Sequence, residues 1–86
     1  MKKTDIEIIV KETLVNILKL DLHAEELSAN TLIIEELNLN SSSFIEVQVA
    51  LEDAFMIEID DENLDISNFH SISSLVDMID DSLNLA

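Results

Sequence analysis

The sequence predicts an all-α fold: a small bundle of three main helices plus one short helix, with a long first loop. Three observations predict it. Apolar residues recur at intervals of three and four in three separate segments, the spacing of one helix face. A polar run, Asn38-Leu39-Asn40-Ser41-Ser42-Ser43, leads directly into the middle segment, as a helix start requires. The chain has 86 residues and 48% hydrophobic content, enough for one domain with a modest core despite a formal charge of −15.

The first helix is expected over residues 4–19. Ile6, Val10, Leu14, Ile17 and Leu18 make its stripe, and Lys11, Glu12 and Asn16 turn away. Thr4 or Asp5 is the expected cap, and Lys19 suits the negative C-terminal end. Residues 20–40 form the long connection, without a sustained period. Leu22, Leu27, Leu32, Ile33 and Leu37 are expected to tuck back onto the core, with a short turn of helix at 24–27 and an alternative one at 33–37. Connections this long are often functional.

The second main helix is expected over residues 42–55, burying Phe44, Val47, Leu51 and Phe55 with Ala54, and exposing Glu46, Glu52 and Asp53. Ser43-Phe44-Ile45-Glu46 fits a capping box with Ser43 as cap, while Asn40 or Ser41 as cap starts the helix two or three residues earlier. Residues 60–65 carry enough polar signal for the short helix, and Ile66 and Phe69 read as core plugs. The last helix follows His70, with Ser71 as cap and Ile72, Leu75, Val76, Ile79 and Leu83 on its inner face. No glycine or proline is present, so turns fall to Asn, Asp and Ser.

Charge and composition exclude several functions. All four bases, Lys2, Lys3, Lys11 and Lys19, lie in the first segment, and sixteen acids with no base follow from Leu20 onward. A nucleic-acid backbone is repelled by such a chain. Basic protein surfaces are attracted, with a gain in on-rate and specificity. No apolar run is long enough for a membrane span. Without cysteine there is no disulfide framework and no thiolate metal site. His23 and His70 stand far apart and outside any zinc spacing, so both read as surface or loop residues. The acids of residues 60–65 lack the ligand order and central glycine of a calcium loop. No Ser-His-Asp spacing is present, and so small a bundle rarely builds an oxyanion hole. These exclusions predict a protein that is not an enzyme; the lack of cysteine fits the cytoplasm, and a monomer is expected.

The hydroxyl cluster stands apart from these exclusions. A serine at a helix start is ordinarily a cap, but helix starts also favour phosphate through unpaired N–H groups and the dipole. Leu39-Asn40-Ser41-Ser42, followed by Phe44-Ile45-Glu46-Val47, Ala50-Leu51-Glu52-Asp53, Phe55, Ile57-Glu58-Ile59 and Asp61-Glu62, resembles the acyl carrier proteins. That family carries Asp-Ser-Leu at the start of its second helix, then an aliphatic–Glu–aliphatic step, Leu-Glu-acid, Phe and Ile-x-Ile. The resemblance extends to Val10, Leu14 and Leu18 and to Ser71-Ile72, so it covers nearly the whole chain, residues 1–86, as one stand-alone carrier domain.

The resemblance implies that Ser41 is where a phosphopantetheinyl transferase attaches 4′-phosphopantetheine from coenzyme A. Glu46, Leu51 and Phe55 align with the family only if Ser41 is the motif serine. The arm then carries polyketide, fatty-acid or aminoacyl-derived groups as thioesters, which explains how a chain without cysteine handles them. The resemblance also implies a docking face of Asn40, Ser42, Ile45, Glu46, Val49 and Glu52 for acyl- or ketosynthase-type enzymes with basic surfaces, and shelter for an acyl chain beneath this helix. Four residues depart from the family: Asn40 stands where Asp is usual, Ser42 where Leu is usual, and Asn38 and Met56 where glycines are common. These departures favour a specialised polyketide or hybrid peptide-polyketide pathway. The alternatives are a housekeeping fatty-acid carrier and a carrier-like module without the arm.

Overall fold

A computed structural model describes residues 2–59 and 69–84. Among them, four α-helices follow in order: α1 (Lys3–Ile17), α2 (Ile33–Glu36), α3 (Ser41–Phe55) and α4 (Ile72–Asn84), with a 3₁₀ turn at Ala24–Glu26. The fold is the expected acyl-carrier-like helical bundle. The short helix expected at residues 60–65 and the core plug Ile66 lie outside the described residues.

The periodic positions form the core. Ile6, Val10 and Leu14 of α1, Phe44, Val47, Leu51 and Phe55 of α3, and Ile72, Leu75, Val76 and Ile79 of α4 are all buried together with Phe69. Leu27, Ile33 and Leu37 of the connection join them, whereas Leu22 and Leu32 are only half-buried. Leu83 is likewise half-buried against the core. Ala54, expected on the buried face, is instead exposed, since it stands about 100° round the helix from Phe55. Among the described residues no polar or charged side chain is buried, so the interior is held by apolar packing alone. The rings of Phe44 and Phe69 meet at 4.6 Å between centroids, tilted by 37°, and tie the first turn of α3 to the entry of α4.

The end of α1 differs from expectation at both termini. Neither Thr4 nor Asp5 caps it. Lys2 occupies the cap position without a side-chain bond, and its carbonyl accepts the N–H groups of Asp5 and Ile6. The helix also stops at Ile17, because Lys19 turns left-handed at φ 53° and lets Leu20 N–H return to the Val15 carbonyl. α3 closes in the same way: Met56 is left-handed at φ 54°, and Ile57 N–H reaches the Glu52 carbonyl. Asn38, at φ 56°, is the third such residue. Glycine adopts this geometry without strain, asparagine with little, lysine and methionine with more.

The long connection is ordered by tertiary bonds. The 3₁₀ turn forms at the expected 24–27 site, braced by Glu26, whose carboxylate accepts the His23 N–H at 2.7 Å. α2 forms at the alternative site, 33–37. Its Glu36 carboxylate accepts the Leu32 N–H, and the His70 carbonyl accepts the Ile33 N–H. In return Thr31 and Ala29 carbonyls accept the Ile72 and Ser73 N–H groups, and Leu32 bridges Ser71 antiparallel. Ser71 caps α4 as expected, its Oγ accepting the Ser74 N–H at 3.1 Å. A surface ion pair, Lys3 to Asp77 at 3.0 Å, joins α1 to α4, and the Asp77 carboxylate raises the Lys3 pKa by hydrogen bonding and charge. Both side chains are largely exposed, so the pair adds little stability.

Candidate functional site

The start of α3 is built by Asn40. Its backbone is extended, at φ −115° and ψ 178°, and its Oδ1 accepts the Ser43 N–H at 2.9 Å. Its carbonyl takes the Phe44 N–H at 2.8 Å. Asn40 is therefore the cap, and the capping box based on Ser43 does not form. The box fails because Ser43 already lies inside the helix and gives its own N–H to Asn40. One short bond thus fixes the frame in which Ser41 becomes the first helical residue.

Ser41 and Ser42 are both exposed, and Ser43 is half-buried. No described residue hydrogen-bonds the Ser41 hydroxyl, and none accepts the backbone N–H of Ser41 or Ser42. The start of α4 is different, since Thr31, Ala29 and Ser71 consume its Ile72, Ser73 and Ser74 N–H groups. Among the described residues, α3 therefore presents a hydroxyl and two amides without partners at the positive end of a 15-residue helix. Such a terminus stabilises a phosphate ester through its amides and dipole. Phe44, buried one turn further on against Phe69, anchors this end of the helix in the core.

Along the outer face of α3, Ile45 is 59% and Val49 51% exposed. Glu46 and Asp53 are exposed beside them, and α3 contains no base. These side chains and Ala50 border an open groove of about 640 Å³, closed on the other side by Asn16, Ile17 and Lys19. Among the described residues that line it, Lys19 is the one cation.

Of the residues expected on this face, Asn40, Ser42, Ile45, Glu46 and Val49 are exposed together. Glu52 is half-buried and already bonded. Its Oε2 accepts the Ile59 N–H at 2.9 Å, and Gln48 Nε2 approaches Oε1 at 3.5 Å. Its carboxylate ties the segment after α3 back to the helix, a role that no local pattern reveals because the partner lies seven residues on. Sequence reasoning also missed Lys19 at the groove, and the signal for it was slight, a lone base ahead of an acidic stretch.

His23 and His70 are exposed, as expected of surface residues. Among the described residues no group of His, Asp and Glu is arranged to hold a metal, and no helix is long and apolar enough to cross a membrane. In comparisons with known proteins, the family model described as the phosphopantetheine attachment site matches residues 9–79. Among curated proteins, none matches the chain.

Proposed function

The chain belongs to the phosphopantetheine-attachment family, and from that premise we propose that Ser41 is the residue that bears the arm. The protein is a carrier and not an enzyme, and its cofactor is covalently attached 4′-phosphopantetheine. The observation that supports Ser41 is its place as the first residue of α3, exposed, with no described residue bonding its hydroxyl or the amides of Ser41 and Ser42. Ser43 is the weaker alternative, being half-buried with its amide committed to Asn40.

The residues of this junction suit a phosphodiester. The amides of Ser41 and Ser42 and the helix dipole offset its negative charge, and Asn40 brings no second negative charge beside it. When bound, the arm supplies a terminal thiol that holds acyl groups as thioesters. The protein's own part is to keep the ester at a rigid helix start and to present α3 to other enzymes. Ser42, Ile45, Glu46 and Val49 form that docking face, with Asn40 at its edge. Glu52 contributes less than the resemblance implies, because its carboxylate is held by Ile59. The acidic surface favours transferases and acyl- or ketosynthase-type enzymes with basic rims, through faster association and rejection of acidic partners.

The departures at Asn40 and Ser42 support service in a specialised polyketide or hybrid peptide-polyketide pathway of the cytoplasm, as a monomer, over housekeeping fatty-acid synthesis. Loading by coenzyme A and a broad-specificity phosphopantetheinyl transferase, read by intact mass, tests the reading. One addition of the arm to the wild type, and none to Ser41→Ala, is expected. A mass unchanged under several transferases, or a gain that survives Ser41→Ala, contradicts it.

A further inference from the structure

Between Leu37 at the end of α2 and Phe44 in α3, Leu39 is the one buried residue, with Asn38, Asn40, Ser41 and Ser42 exposed around it. The chain turns so as to bury it. Asn38 follows the cap of α2 in the left-handed region, at φ 56°, a common way for a helix to end and one that asparagine tolerates. Asn40 then opens α3 as its cap. Leu39 is thus the residue before a cap, and Phe44 is the fourth residue of the helix that follows. Apolar residues at those two positions often pack across a helix start and fix the angle at which the chain enters. Here both are buried in the same core, and Phe44 is stacked there on Phe69.

The exposed serine lies between these two anchors. Ser41 is two residues past Leu39 and three before Phe44, and Asn40 closes the span by accepting the Ser43 and Phe44 amides. Phe44 holds the helical end of the span. Leu39 holds the other end, since its neighbours Asn38 and Asn40 are both exposed. Loss of the Leu39 side chain frees the cap to fray, while α3 from Phe44 onward stays packed through Val47, Leu51 and Phe55. That structural division implies a kinetic one. An attacking hydroxyl must be held near its reaction geometry, so a looser Ser41 slows the transfer step. The surface of α3 beyond Phe44 keeps its shape, so binding is spared.

We propose that Leu39 is a positioning residue for the loading of Ser41, acting by anchoring the cap that sets the first turn of α3. The inference rests on Ser41 being the loaded residue. Loading kinetics with a broad-specificity phosphopantetheinyl transferase and coenzyme A test it, at a temperature where circular dichroism shows each variant folded, together with amide exchange. Leu39→Ala is expected to lower kcat about tenfold with KM within about twofold of wild type. It is also expected to speed exchange at the Ser43 and Phe44 amides about tenfold more than at Leu51. Leu39→Val removes less volume, covers the case in which Leu39→Ala does not fold, and is expected to lower kcat about threefold. Leu39→Met refills the volume and is expected to stay within about twofold of wild type in both readouts. Val10→Ala, a deletion at a buried site in α1, is expected to melt lower but to load at the wild-type kcat. A kcat unmoved in Leu39→Ala and Leu39→Val, or an equal fall in Val10→Ala, overturns the proposal while leaving Ser41 in place. Failure of the wild type to load, or loading that survives Ser41→Ala, overturns both.

Discussion

Asn40 caps Ser43: its side-chain carbonyl accepts the Ser43 amide at 2.9 Å, and this bond makes Ser41 the first residue of α3. An aspartate at this position makes the same bond with an added negative charge. Asparagine preserves the geometry while leaving the start of α3 without an anionic neighbour.

Removing that cap should loosen the site before it harms the core. Asn40→Ala is expected to cost about 1 kcal/mol, equivalent to a fall in Tm of about 4–8 °C. Asn40→Asp keeps the acceptor and should fold at least as well. Denaturant melts of the three proteins check this, and an unchanged midpoint for Asn40→Ala would show that the cap is not formed.

Glu52 holds a backbone amide seven residues ahead, at Ile59, whose side chain is buried. Glu52→Ala leaves that N–H without its acceptor and is expected to cost about 1–3 kcal/mol. Glu52→Gln keeps an oxygen in place and should recover most of the loss. Amide exchange at Ile59 distinguishes this account from a general loss of charge. The prediction fails if Ile59 exchanges at the wild-type rate in Glu52→Ala.

Phe69 is fully buried and stacks on Phe44. Phe69→Ala should cost about 3–5 kcal/mol, a large share of the stability of so small a domain. Because Phe44 is its partner, the first turn of α3 should lose order along with α4. Chemical shifts at Ser41–Ser43 report the former. A melt within about 1 kcal/mol of wild type contradicts the packing described.

With nineteen acids and four bases, the folded chain repels itself. Moderate salt should therefore raise Tm, by screening exposed charges over a Debye length of about 10 Å at 0.1 M. A flat melting temperature from low to moderate ionic strength removes repulsion from the account.

What the sequence discloses and what it conceals follow from the range of each interaction. The buried faces of α1, α3 and α4 are written in local spacing, so Ile6, Val10, Leu14, Val47, Leu51 and Ile79 were all legible. The serine cluster at the helix start and the family register were legible for the same reason. The choice between Asn40 and Ser43 as cap was not, because both have capping side chains three residues from a plausible partner. α2 forms where the pattern was weakest, since its order comes from backbone bonds between Thr31, Ile33, His70 and Ile72. Those partners are nearly forty residues apart, beyond any local signal. Glu52 looked like an outward acid, and only the return of the chain at Ile59 turns it into a tie.

The central claim is that one hydroxyl among three carries the arm. Peptide mapping by tandem mass spectrometry, after loading with coenzyme A and a phosphopantetheinyl transferase, tests it most directly. We predict that the modification maps to Ser41 alone and that Ser43→Ala loads fully. Modification at Ser42 or Ser43, or its loss in Ser43→Ala with Ser41 intact, contradicts the account.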